Sequence, residues 1–223
     1  MTLPFTAEQF FDVFAEYNRT LSWIVLSLWV TALIAVVTAW RSQSRGSRAL
    51  TWYLAALWLW NSVAYHALLF TRINPAAWLF AGLFSLQGVL LAIAATRGQL
   101  TYFTAGGWRK YVGTLLVLYA FVYPILNIAF GRGYPGVPTF GVPCPTAILT
   151  IGLLLTARGP ASTWLIVAPV LWGFVGGSAV FLLGVWPDYP LIAAGVLGTA
   201  DVISRVLRRS ANKRLVAGPI TSR

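Results

Sequence analysis

Apolar runs long enough to cross a lipid bilayer follow one another along this chain, joined by short basic connections. A bilayer core is ~30 Å thick and takes about 20 residues of apolar helix to cross. Water is missing there, so each segment has to satisfy its own backbone amides, and runs of this length do so as helices. Charged residues make up 9% of the chain and hydrophobic ones 58%, with a mean hydropathy of +0.75. A soluble domain carries ~25% charged residues, so that class is excluded. The 223 residues read as all-α, a polytopic transmembrane helix bundle of about seven spans. The spans are Leu21–Trp40, Ala49–Phe70, Pro75–Thr96, Tyr111–Phe130, Thr146–Ala157, Ala161–Val185 and Pro190–Leu207. Pro75 and Pro190 stand at helix starts, where a missing N–H costs nothing.

The fifth segment is broken. Thr146–Ala157 is an apolar helix candidate of 12 residues that stops at Arg158, or ~18 Å of helix at ~1.5 Å per residue. Before it, Gly131–Pro145 holds Pro135, Pro138, Pro143 and Pro145, which cannot form regular helix. Irregular backbone survives at membrane depth only where protein buries it or where it lines a wet cavity. Broken spans are also where membrane proteins keep their binding sites.

Charge sets the orientation. Arg41, Arg45 and Arg48 follow the first span, Arg97, Arg109 and Lys110 the third, and Arg158 the fifth. Arg205, Arg208, Arg209, Lys213, Arg214 and Arg223 end the chain. Of the 16 Lys and Arg only Arg19, Arg72 and Arg132 fall on the other side, with Glu8, Asp12, Glu16 and Asp188. Positive charge stays inside, which places the N-terminus outside and the C-terminus in the cytoplasm. Trp40, Trp52, Trp108 and Trp164 then mark the inner boundary, and Trp23, Trp78 and Trp186 the outer one. Residues 1–20 form an N-terminal amphipathic interfacial helix: Thr6 and Gln9 make a capping box, and Glu8, Asp12 and Glu16 share one face. Phe10, Phe11, Phe14 and Tyr17 lie away from that face. Residues 21–207 form the seven-span domain, and 208–223 a basic cytoplasmic tail held by anionic inner-leaflet lipids. Ala217–Arg223 are expected to be disordered. The start lacks the ordered parts of a secretory signal, so it is expected to be retained, with Leu21–Trp40 as first span and insertion signal together. The net charge of +11 is distributed as topology signals rather than as a nucleic-acid footprint, and no nucleic acid is expected as a partner.

The polar residues within the spans gather in the outer leaflet. Asn61, Ser62, Tyr65 and His66 occupy the outer half of the second span, and Asn74 starts the third. Tyr119, Tyr123 and Asn127, spaced by four, share a face of the fourth. Cys144 and Thr146 open the short fifth helix. The ligand-binding set is therefore Asn61, Tyr65, His66, Asn74, Tyr123, Asn127, Cys144 and Thr146, around an outward-facing polar pocket roofed by the N-terminal helix. Gln87 and Asp201 lie on any route inward. Each also has a plainer role, Gln87 as interhelical hydrogen-bonding glue and Asp201 as an ion pair with Arg205 four residues on. Cys144 with His66 makes a candidate handle for a transient soft metal such as Cu(I). Against it, a lone cysteine is commonly a small buried hydrophobe, and two ligands do not fill a zinc site. One cysteine permits no internal disulfide. No G-x-S-x-G, HExxH, paired intramembrane aspartate or P-loop occurs, and the seventh span has no lysine. No catalytic residue is assigned.

The runs LPFTAEQFFDVFAEYN, AYHALLFTRINPAAWLFAGLFSLQG and FGVPCPTAILTIGLLL resemble a family of uncharacterised bacterial multi-pass integral membrane proteins with a domain of unknown function. The resemblance spans most of the chain. It implies a bacterial inner-membrane location and supplies neither activity nor site residues. The residues themselves favour a protein that binds or passes a small solute or ion through the outer pocket. The alternative is a non-catalytic structural or assembly subunit, with a membrane-protein partner or further copies of itself.

Overall fold

The computed structural model describes residues 3–130 and 133–216. Arg132 and the expected disordered segment Ala217–Arg223 lie outside the described residues. Helix α1 spans Ala7–Arg41, α2 Gln43–Trp60, α3 Ala77–Thr96, α4 Trp108–Phe130, α5 Pro143–Thr156, α6 Val167–Val175, α7 Ala179–Leu183 and α8 Tyr189–Val216. Among the described residues no strand forms, and six helical segments are long and apolar enough to cross a membrane. They are Ala7–Arg41, Gln43–Arg72, Ala77–Thr96, Trp108–Phe130, Pro160–Leu183 and Trp186–Arg208. The seven tryptophans expected at the lipid boundaries all stand exposed.

The expected N-terminal helix and first span are two helical pieces joined end to end across a kink within Ala7–Arg41. No Gly or Pro interrupts Ala7–Arg41, and the Thr6–Gln9 capping box starts it. It kinks at Leu21, which has φ −119° and ψ 16°. Beside the kink, the Asn18 carbonyl accepts from the Tyr134 hydroxyl at 3.3 Å. The part before Leu21 buries Phe10, Phe11, Val13, Phe14, Tyr17 and Asn18. The part after it buries only Ala32 and Ala39, so the span half is peripheral.

Helix α5 is the centre of the bundle. All 14 of its residues are buried, wrapped by α4, α6, α8 and α2. It measures ~21 Å at ~1.5 Å per residue, short of a bilayer core, as expected. It starts at Pro143 rather than Thr146 because Pro143 and Pro145 sit in the first turn, where no N–H is needed. Its lead-in is irregular and buried from Val137 to Val142. The far end is closed by the 101–105 loop: the N–H groups of Thr104 and Ala105 donate to the Thr156 carbonyl at 3.1 and 2.9 Å. Thr101 and Arg158 exchange a pair of backbone bonds, both 2.9 Å.

Close helix crossings rest on glycine. A Cβ at Gly113 would stand 2.6 Å from the Gly152 carbonyl oxygen, and one at Gly173 would stand 3.0 Å from the Gly195 Cα. Gly113→Leu is expected to force α4 off α5. The overpacking cost is ~1–3 kcal/mol, read as a lower thermal midpoint in mild detergent. Gly82→Leu, whose Cβ meets nothing within 4 Å, is expected to leave the midpoint unchanged. Equal midpoints for both variants would contradict the close crossing.

Candidate functional site

A cavity of about 160 Å³ lies where the N-terminal part of α1 crosses the ends of α2, α5 and α6. Its roof is Leu3, Phe5, Phe10 and Phe14; its walls include Phe70, Phe80, Trp172 and Ala179. The capping box fixes where α1 begins, and this sets Phe10 and Phe14 one turn apart over Tyr65 and Phe70. Phe14 stacks on Tyr65 with ring centroids 5.5 Å apart, and Phe10 meets Phe70 edge-on at 6.1 Å. Such pairs contribute ~0.5–1.5 kcal/mol beyond their buried area. Tyr65, Asn74, Cys144 and Ser178 are the polar residues on its surface.

Tyr65 reaches the cavity from the end of α2, which continues as a π-helix over Asn61–Ala67. π stretches change which side chains share a face and often mark functional sites. Here Asn61, Ser62, Tyr65 and His66 are all buried. Asn61 donates from Nδ2 to the Leu57 carbonyl at 2.7 Å and to Thr146 Oγ1 at 3.1 Å, so it ties α2 to α5. Ser62 Oγ lies 2.7 Å from Ser85 Oγ, which ties α2 to α3. His66 is fully buried, its ring 4.7 Å from Phe84 and 5.1 Å from Trp172. Neither of its nitrogens has a hydrogen-bond partner among the described residues.

Beside the cavity sits a carboxyl expected on the outer side of the membrane. Asp188 is 1% exposed and accepts from the Tyr123 hydroxyl at 2.6 Å. The Cys144 thiol lies against both of them. Tyr119, one turn earlier on α4, donates to the Pro187 carbonyl at 2.7 Å. The shared face expected for Tyr119, Tyr123 and Asn127 thus grips the turn before α8. Asn127 bonds locally to the Tyr123 carbonyl at 3.0 Å.

Of the eight expected ligand residues, Tyr65, Asn74 and Cys144 line the cavity. Asn74 also caps its own turn, accepting from Ala76 N–H at 3.1 Å. Thr146 and the Asn61 amide nitrogen make helix-to-helix bonds, while Asn61 Oδ1 is buried with no partner among the described residues; Asn127 bonds within its own helix, and Tyr123 to Asp188. The cavity lining is apolar where a polar pocket was expected. Among the described residues no three His, Cys, Asp or Glu side chains gather as metal ligands. Gln87 donates to the Leu165 carbonyl at 2.7 Å, the interhelical role. Asp201 lies at the opposite end of the bundle, fully buried between Arg205 Nε at 2.6 Å and Arg109 Nε at 3.0 Å.

Two positioning residues escaped the sequence reading. Asn18 donates from Nδ2 to the carbonyls of Pro135 and Val137 at 2.7 and 2.8 Å and accepts from Thr139. Tyr17 donates to the Gly141 carbonyl at 3.0 Å and accepts from Trp60 Nε1 at 2.8 Å. Gly141 has φ +82°, and a Cβ there would stand 2.9 Å from the Tyr17 hydroxyl, so only glycine fits. Together these bonds fix the proline-rich lead-in against the roof helix.

A family model described as "Family of unknown function (DUF6064)" matches residues 7–213, and the chain belongs to that family. No curated protein and no solved structure matches the chain.

Removing the Tyr123 hydroxyl leaves Asp188 buried with one donor fewer. Tyr123→Phe is expected to cost ~1–3 kcal/mol. In a double-mutant cycle with Asp188→Leu, measured by thermal unfolding in detergent, a coupling of ~0.5–3 kcal/mol is expected. Additivity within ~0.5 kcal/mol would show that the pair contributes nothing.

Proposed function

We propose that this member of a family of unknown function is a seven-span protein of the bacterial inner membrane that binds a small, mainly apolar molecule in the cavity under α1. The observation that carries this reading is the lining: aromatic rings and aliphatic side chains on nearly every side, with Tyr65, Asn74, Cys144 and Ser178 as the polar points. An apolar cavity of ~150 Å³ suffices for benzene, and this one is about 160 Å³. A hydrated ion would lose its water with too few polar groups to replace it. The guest is therefore a compact apolar group, or the end of a longer apolar chain, that places one polar atom near Cys144. This narrows the sequence-based expectation of a small solute or ion.

Support for the orientation comes from charge. Arg45, Arg48, Arg109, Arg158 and Arg205 belong to connections or helix ends at one end of the bundle. The other end carries Glu16 paired with Arg72 at 2.7 Å, both half exposed. That surface pair adds little stability, but the asymmetry supports a reading with the α1 start outside and the end of α8 in the cytoplasm. In this arrangement α5 and its lead-in form the broken fifth span, and the cavity opens toward the outer leaflet.

Saturating benzene or indole is expected to raise the thermal midpoint of the wild type. Ala179→Phe, which fills the cavity from its wall, is expected to show no rise. Equal responses in the two proteins would reject the site. For the orientation, a fluorescent protein fused after Val216 is expected to fluoresce, and a periplasm-dependent phosphatase fused there to be inactive. The reverse result would invert the bundle.

A further inference from the structure

A second recess, of about 240 Å³, opens at the basic end of the bundle, far from the aromatic cavity. It is lined by Arg109, Arg158, Arg205 and Arg208 with Ser162 and Thr163. We propose that it is a binding site for a phosphate oxyanion, carried either by a lipid headgroup or by a small soluble phosphate compound.

Three separate parts of the chain build the site: the start of α4, the link after α5, and the last turns of α8. Four guanidinium groups converge there and one carboxylate answers them. Asp201 engages Arg109 and Arg205 through their Nε atoms at 3.0 and 2.6 Å, which fixes both side chains. Arg109 also donates from Nη2 to the Ala157 carbonyl at 3.1 Å, and Arg205 donates to Ser162 Oγ. Arg158 and Arg208 are exposed and have no carboxylate partner among the described residues. Arg158, Arg205 and Arg208 all lie close enough to repel Arg109. Guanidinium stays protonated at any working pH, so the recess holds excess positive charge that folding alone leaves unanswered.

Thr163 supplies an independent sign of a ligand. It is 7% exposed, lines the recess, and its hydroxyl has no hydrogen-bond partner among the described residues. Buried hydroxyls are ordinarily paired. A phosphate offers several oxygens in a geometry that planar guanidinium forks match two bonds at a time. It can bridge Arg158 and Arg208 while accepting from Thr163. Gly159 permits the bend that brings Arg158 and Thr163 to one recess: its φ is +139°, and a Cβ there would stand 2.0 Å from the Gln99 carbonyl oxygen. Arg208 is the first residue of the basic tail, and Lys213 and Arg214 are not among the described residues that line the recess.

The test uses the purified full chain in neutral detergent at fixed ionic strength, with the thermal midpoint read in two titrations. One adds inorganic phosphate; the other adds dioleoylphosphatidylglycerol, with dioleoylphosphatidylcholine as reference. A saturable rise with inorganic phosphate assigns a soluble ligand, and a rise confined to phosphatidylglycerol assigns a headgroup. In either case Arg158→Gln with Arg208→Gln is expected to weaken the response at least tenfold. These residues lie outside the Asp201 pairs, so the unliganded midpoint should hold. Lys213→Gln with Arg214→Gln is expected to stay within twofold of wild type. No rise with either probe, an unchanged response in the Arg158/Arg208 variant, or a loss confined to the tail variant would overturn the proposal.

Discussion

A short helix buried on every side has to find partners for both of its ends inside the protein, and this need organises the bundle. Helix α5 is too short to present its terminal backbone groups to the headgroups at both sides. At one end the 101–105 loop supplies N–H groups to Thr156. At the other, the proline-rich lead-in is held by Tyr17 and Asn18. An unpaired amide in an apolar surrounding costs ~1–3 kcal/mol by protein mutational measures, so each of these contacts is worth more here than on a wet surface. The long helices then pack around α5, closest where Gly113 meets Gly152.

Much of this framework could be read from local spacing. The short fifth helix, the Thr6–Gln9 box and the Asp201–Arg205 pair all depend on residues within a few positions of one another, where helix geometry decides the outcome. The site was less legible because its parts meet across the chain. Tyr123 and Asp188 are 65 residues apart, and Asn18 and Val137 are 119 apart. Asp188 sat in a short turn between Pro187 and Pro190, where an acid normally reads as solvated. Only the fold shows Tyr123 waiting for it. Likewise Asn61, Thr146 and Asn127 looked like ligand groups because polar side chains in apolar spans are rare. Each makes hydrogen bonds between or within helices and none of the three lines the cavity, whose surface is mostly rings and aliphatic groups.

The two ends of the bundle follow opposite electrostatic rules. At the basic end, Asp201 lies within 2.6 and 3.0 Å of two arginines that are themselves bonded to backbone and hydroxyl oxygens, so a buried negative charge meets two positive ones. At the aromatic end, Asp188 meets a phenol and a thiol instead of a cation.

The kink at Leu21 has a mechanical consequence. It is the one non-helical point in α1, and every bond from Tyr17 and Asn18 to the lead-in lies on its N-terminal side. The first fourteen residues of α1 therefore behave as a rigid lever with its fulcrum at Leu21. Lifting that lever off the aromatic chamber would pull Pro135, Val137 and Gly141 along with it, and through them the first turn of the central helix. Entry to the chamber and the seating of the central helix are geared together.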